Sequence, residues 1–403
     1  MYRSLVKWVE FATQRRRVPD WMPQSLRRLA SGSIQVLQRR YHVQSVKDAI
    51  SGKRGNLDDI ASFLNGHLVP LRAPLALISQ VQRSGGSLLS QLFDGHPAFA
   101  AYPHELRFGF SMEDQWPPLD PRLSADENFE FLYDLKLRRL MQHGYSKGGD
   151  TVFSIVEGRP VKRQAEHLRF FLVPRIQYLV FKRLCEADVP KSARDILDHF
   201  FTAFFNAWLD YHSSLRDKKW ISAFAPRLAH DETHAAAFFA AYPDGRLIQI
   251  IRDPRNWYAS AKNHRKSMLD AKDADGLLAM WAESAQSMRR NKSQYGDRVI
   301  ILSFEDLIER TELTMRALAD ALAIKFDPIL LVPTFNGFPA RANSSFTTEQ
   351  SGILTAPLTR TRNLSADERD MIDRRYMKLY DSVAAEALVP AGVTSGAQAY
   401  AHD

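Results

Sequence analysis

Four short apolar runs constrain the fold of this 403-residue chain more than any other feature: residues 74–81 (PLALISQV), 220–225 (WISAFA), 246–252 (RLIQIIR) and 298–304 (RVIILSF). Each is short and nearly continuously apolar, and each runs into a turn followed by a helical pattern. Runs of this kind read as strands buried on both faces, and their alternation with helices gives a parallel α/β sheet. More than a hundred residues separate the first two runs, and they read as mostly helical. Within them Phe200, Phe204, Trp208 and Tyr211 recur at helical spacing, a stripe expected to pack in the core. The expected organisation is a basic helical extension over 1–70, an α/β body over 71–390 with a helical insertion at about 110–215, and a tail over 391–403.

Composition narrows the class. Hydrophobic residues make up 45% of the chain and charged residues 25%, ordinary for a globular protein and wrong for a disordered, collagen-like or coiled-coil one. No apolar run approaches the roughly 18 residues that span a bilayer. The single cysteine, Cys185, excludes an internal disulfide framework and a multi-cysteine metal site, and it suits a reducing cytoplasm. The net charge of +8 is unevenly placed. Residues 1–55 hold twelve Lys/Arg against three Asp/Glu, and the rest of the chain holds 42 against 43. The body is therefore neutral and gives no compositional support for nucleic-acid binding.

The first apolar run leads into Arg83-Ser84-Gly85-Gly86-Ser87 and then a helical pattern. Strand, glycine turn and helix together aim backbone N–H groups at an anion. The glycines permit positive φ and close approach, Ser84 and Ser87 carry hydroxyl donors, and Arg83 can fork onto phosphate or sulfate oxygens. A nucleoside-triphosphate loop needs Gly-Lys-Ser/Thr at its end. Here Gly86 stands where that lysine belongs and Gln80 where the first glycine belongs, which counts against a P-loop-type kinase. A second anion site is expected after the run at 246–252. Arg252 lies at the strand's carboxyl end, where open α/β sheets bind ligands. Asp253 and Pro254 suit the start of a helix, and Ser260 follows about two turns on.

These segments together resemble the sulfotransferase family, which uses 3′-phosphoadenosine-5′-phosphosulfate. Residues 79–89 are similar to its 5′-phosphosulfate loop and residues 250–260 to its 3′-phosphate motif. Leu302-Ser303-Phe304-Glu305-Asp306-Leu307, Phe338-Pro339-Ala340-Arg341-Ala342-Asn343-Ser344-Ser345-Phe346 and Thr361-Arg362-Asn363-Leu364-Ser365 resemble, in order, its strand-to-helix segment, its late cofactor-closing loop and its C-terminal end. The resemblance covers roughly residues 72–385 and implies a P-loop NTPase-like parallel sheet flanked by helices. It also implies that Arg83, Ser84, Gly85, Gly86 and Ser87 hold the 5′-phosphosulfate and that Arg252 and Ser260 hold the 3′-phosphate. Arg341 with Asn343, Ser344 and Ser345 would close over the nucleotide, and no metal is expected. His212, His230 and His234 are scattered and read as surface or capping residues.

The acceptor hydroxyl needs a base. Tyr102-Pro103-His104-Glu105-Leu106-Arg107 follows the first helix, and Glu105 with Arg107 resembles the Glu-x-Arg arrangement of the tyrosylprotein branch. Glu105 is the expected general base, its pKa raised by burial, with Arg107 orienting it or the substrate. His104 is the rival base. Two departures stand out: Phe224 sits where many relatives carry a lysine that contacts the transferring group, and Gly86 replaces the loop's usual first threonine. Arg227 or Arg83 would then supply the missing charge. The implied function is sulfuryl transfer to a hydroxyl, with a carbohydrate or glycolipid acceptor favoured over protein tyrosine. A non-catalytic nucleotide-binding or scaffold protein on the same fold is the alternative. The aromatic and arginine-rich residues 1–55 suit an anionic membrane surface at the inner face, a targeting segment, or helices packed on the body.

Overall fold

All four apolar runs form strands, and a fifth joins them. The computed structural model describes residues 56–109, 115–134, 153–156, 159–162, 172–207, 217–262, 274–335, 337–339 and 352–388. Helix α1 (Asn56–Asn65) leads into strand β1 (Leu75–Ile78), helix α2 (Gly86–Phe93) and strand β2 (Phe99–Glu105). Helix α3 (Ala125–Leu132), a hairpin of β3 (Phe153–Val156) and β4 (Arg159–Lys162), and helices α4 (Pro174–Ala187) and α5 (Ala193–Asn206) follow. The chain continues through β5 (Trp220–Phe224), α6 (Glu232–Ala241), β6 (Arg246–Ile251), α7 (Pro254–Lys262), α8 (Ala274–Tyr295) and β7 (Val299–Ser303). Helices α9 (Phe304–Glu309) and α10 (Thr311–Ala321), the short pair β8 (Thr334–Phe335) and β9 (Phe338–Pro339), a 3₁₀ segment (Ala356–Asn363) and helix α11 (Ala366–Ala384) complete the described chain.

Strands β1, β2, β5, β6 and β7 form one sheet in the order β2-β5-β1-β6-β7, with every neighbouring pair parallel. Side chains alternate across it. Leu75, Leu77, Ile221, Ala223, Leu247 and Ile301 join one core, while Ala76, Ile78, Trp220, Phe224, Ile248 and Leu302 join the other. Both faces are covered, which is why each run is apolar throughout rather than at every second residue. Phe200 and Phe204 of the aromatic stripe lie in the first core at 1% exposure. Trp208 and Tyr211 lie outside the described residues.

Strand β2 was not among the expected strands. It is an edge strand containing Pro103, and its pairing with β5 shifts register between Ala101 and Glu105. Proline is tolerated at such an edge because no ladder donor is lost from the sheet interior. The stretch at 110–215, expected to be helical, also departs: it contains the antiparallel β3–β4 hairpin. At the N-terminal side, the backbone N–H groups of Val69 and Leu71 donate to side chains of α5, Asn206 Oδ1 at 3.1 Å and Thr202 Oγ1 at 2.9 Å. These bonds seat the approach to β1 on the helical layer.

The topology brings two loops together. Strand β1 lies between β5 and β6, so the turn after β1 and the turn after β6 open side by side at the carboxyl edge of the sheet, where ligands of such sheets bind. Two buried tryptophans fix these turns. Trp257 of α7 donates its indole N–H to Gln82 O at 2.8 Å. Trp281 of α8 donates to Arg252 O at 2.9 Å. Trp281→Ala removes a fully packed ring and should cost about 3–5 kcal/mol in a denaturant melt. Trp281→Phe should cost far less, about 1 kcal/mol for the bond to Arg252.

Candidate active site

The turn after β1 is built on two unusual backbone conformations. Arg83 has φ of 73° and Gly85 has φ of 95°. Gly85 is the N-cap of α2 and supplies no side-chain cap, so no side chain there competes for the amides of the first turn. Both glycines are demanded by contact. A Cβ on Gly85 would fall 2.8 Å from Cδ2 of Phe304, and one on Gly86 would fall 2.7 Å from Cζ of Phe224 and nearer still to Gln80 Nε2. The loop is thus wedged between the ring of Phe224 at the end of β5 and that of Phe304 just after β7.

Three guanidinium groups meet beside it. Ser260, fully buried on α7, accepts through Oγ from Arg83 Nη2 at 3.1 Å and from Arg360 Nη1 at 2.7 Å. Arg252, 2% exposed, donates to Arg83 O at 2.6 Å and to Pro357 O at 2.9 Å. Its guanidinium carbon lies 4.2 Å from the centre of the Phe304 ring, and its Nε is buried with no hydrogen-bond partner. Asp253 starts the following helix as expected, its carboxylate accepting from Arg255 N at 2.8 Å and from Asn256 N at 3.4 Å.

The electrostatics of this cluster are strained. Burial pushes Arg252 down to about 9, opposed by Glu305 and reinforced by Arg360 and Arg83. Burial and then the charge of Arg360 push Arg83 down to about 10. Burial also lowers Arg360. In each case burial, which disfavours the charged form, is the leading cause. The donor set fits a phosphate or sulfate group held by forked nitrogens and a hydroxyl.

Glu305 sits beneath this cluster. Its Oε1 accepts from Asp253 N at 3.1 Å. Burial, with the neighbouring Asp253, pushes its carboxyl up to about 7 while Arg252 pulls the other way. A folded-state value above the usual 4.5 means that the folded protein holds this proton between pH 4.5 and about 7. The stability that the proton confers is lost as pH rises through that window. Glu305→Gln should flatten that part of the stability-versus-pH curve, measured by urea melts.

The expected base lies at the carboxyl end of β2. Glu105 Oε2 pairs with Arg107 Nη2 at 2.5 Å, with side-chain exposures of 16% and 13% respectively. His104 is turned back on the chain, its Nδ1 accepting from Glu105 N at 2.6 Å. Glu105 is in register with Phe224, the ring that packs on Gly86. The β2–β5 pairing therefore brings the expected base and the anion loop to one edge of the sheet. Arg227 also reaches this edge: its N–H donates to Gln80 O at 3.2 Å, at the start of the loop.

Sequence reasoning did not name Arg360, Phe304, Glu305 or Gln80 as site residues. A signal existed for three of them, since Phe304 and Glu305 lie inside the noted Leu302–Leu307 stretch and Arg360 immediately precedes Thr361. Arg341, Asn343, Ser344, Ser345 and His212 lie outside the described residues. His230 corrects an expectation. It is buried rather than superficial, its Nε2 has no hydrogen-bond partner, and burial followed by the charges of Arg227 and Arg290 pushes it down to about 3. Among the described residues no group of three or more His, Cys, Asp or Glu is placed to hold a metal ion. No helix among them is long and apolar enough to cross a membrane.

A family model described as sulfotransferase family matches residues 74–328. The chain belongs to the sulfotransferase family. That span contains the anion loop, Arg252 after β6, Ser260 of α7 and the Glu105 strand end. The protein is accordingly an enzyme, a sulfotransferase, acting on a hydroxyl-bearing acceptor. Among curated proteins no relative matches. Solved structures similar to this sulfotransferase include the sulfotransferase domain of the olefin synthase of Synechococcus PCC 7002, at 16% identity and a TM-score of 0.43 over 79% of this chain and 96% of that one. A sulfotransferase from Mycobacterium avium matches at 15% identity and a TM-score of 0.37 over 79% and 77%. One from Alicyclobacillus acidocaldarius matches at 14% identity and 0.38 over 79% and 98%.

Proposed function

We propose that this sulfotransferase takes its sulfuryl group from 3′-phosphoadenosine-5′-phosphosulfate and passes it to a carbohydrate or glycolipid hydroxyl, with Glu105 as the general base. The observation that carries the donor assignment is the meeting of the Arg83, Arg252 and Arg360 guanidinium groups beside Ser260, next to a glycine loop at the N-terminus of α2. A donor with anionic groups at both its 5′ and 3′ ends matches two adjacent anion-binding features, and it would supply an activated sulfuryl group on a good leaving phosphate. In this reading Arg83, Ser84, Gly85, Gly86 and Ser87 take the 5′ end, and Arg252 and Ser260, helped by Arg360, take the 3′-phosphate. Arg341, Asn343, Ser344 and Ser345 are proposed to close over the nucleotide.

The chain's own groups divide the remaining work. Guanidinium nitrogens and first-turn amides neutralise charge that accumulates on peripheral oxygens as the bond to sulfur breaks. Glu105 removes the acceptor's proton as its oxygen attacks. Arg107 holds the carboxylate in place. His104 is disfavoured as base by its own hydrogen bond: with Nδ1 accepting from Glu105 N, the neutral ring carries its proton on Nε2 and has no lone pair left to offer.

Calorimetric titration with 3′-phosphoadenosine-5′-phosphate should show binding by the wild type. Arg252→Ala should weaken it by about 2–5 kcal/mol, the cost of removing one buried partner of a charged pair. Unchanged affinity in that variant would refute the 3′-phosphate assignment. Glu105→Gln should retain nucleotide affinity within about threefold and lose on the order of 10²–10⁴ in turnover. Retained turnover would remove Glu105 from the base role.

A further inference from the structure

The two positions at which the sequence departs from the family pattern touch each other. Phe224 is 4% exposed, and its ring fills the volume that any side chain at Gly86 would need. Gln80, fully buried, closes the same space from the strand side, and neither atom of its carboxamide has a hydrogen-bond partner. The backbone of Phe224 faces the other way, for its carbonyl accepts from Leu106 N at 2.7 Å and its register partner is Glu105. One residue therefore bears on the anion loop through its ring and on the Glu105 strand end through its main chain.

We propose, resting on the sulfotransferase donor reading above, that Phe224 is a positioning residue that sets the Gly86 loop against Glu105, and that Gly86 and Phe224 act as one reciprocal pair. Bulk on β5 replaces bulk on the loop. The loop offers its anion main-chain donors at residue 86 and no side chain there. Charge at that end comes from Arg83 on the loop and from the β5 turn carrying Arg227, not from residue 224. A side chain at 86 must displace either the ring or the Gln80 amide, and both lie in a closed interior where extra atoms shift backbone.

A double-mutant cycle on the full chain tests this. Gly86→Ala, Phe224→Ala and the double variant are compared with wild type, with the probe 3′-phosphoadenosine-5′-phosphate titrated calorimetrically and each protein melted thermally. Gly86→Ala should lose about tenfold or more in affinity, as overpacking of one methyl displaces the loop. The double variant should recover to within about threefold of Phe224→Ala alone, because with the ring gone the Gln80 carboxamide, the nearest atom to the added methyl, can turn into the vacated space. Losses that multiply independently would overturn the pairing. Coupling in melting temperature without coupling in affinity would confine the contact to packing and overturn the positioning role. Wild-type protein that fails to bind the probe would instead refute the donor reading itself, an outcome distinct from binding with an uncoupled cycle.

Discussion

The burial of three guanidinium groups around one serine hydroxyl is the constraint on which the rest of the site depends. Arg83, Arg252 and Arg360 come from three separate parts of the chain: the turn after β1, the end of β6 and the 3₁₀ segment before α11. Charges of one sign do not gather in a low-dielectric interior without help. The help visible here is backbone carbonyls for Arg252, the Ser260 hydroxyl for the other two, the face of Phe304 and the buried Glu305. That support fixes the position of the three groups. Forked nitrogens and a hydroxyl gathered beside the first turn of α2 form a donor set suited to phosphate or sulfate oxygens.

The sheet makes the arrangement rigid. Because β1 lies between β5 and β6, the anion loop is flanked by the ends of both, and each contributes an element that shapes it. From β5 comes Phe224 against Gly86. From β6 and the turn after β7 come Ile250 and Phe304 against Gly85, while Arg252 holds the carbonyl of Arg83. The indoles of Trp257 and Trp281 then tie the loop and the β6 turn to helices α7 and α8. Strain in the main chain, such as the positive φ of Arg83, is held by this surrounding structure and sits where an anion is to be received.

Much of this was legible in the sequence, and the illegible parts have physical causes. The four strands with both faces buried announced themselves as continuous apolar runs. The glycine loop and the Arg252–Ser260 spacing were visible because local chemistry alone predicts them. Strand β2 was not, because an edge strand interrupted by Pro103 lacks both the apolar continuity and the unbroken ladder of a central one. The β3–β4 hairpin was hidden inside a stretch read as helical. Arg360 escaped although it borders the noted Thr361–Ser365 segment, because its role comes from a contact with a serine 100 positions earlier in the chain. Gly86 and Phe224 were each read as a separate departure, and only the three-dimensional contact shows that they answer one another. His230 was misread because burial is a tertiary property that a lone histidine in a polar stretch does not reveal.

The most direct test of the central claim is a crystal structure of the full chain with 3′-phosphoadenosine-5′-phosphate. The expected result is the 3′-phosphate against Arg252, Ser260 and Arg360, with the 5′-phosphate on the Arg83–Ser87 loop at the N-terminus of α2. A nucleotide bound elsewhere, or bound with its phosphates away from these arginines, would contradict it.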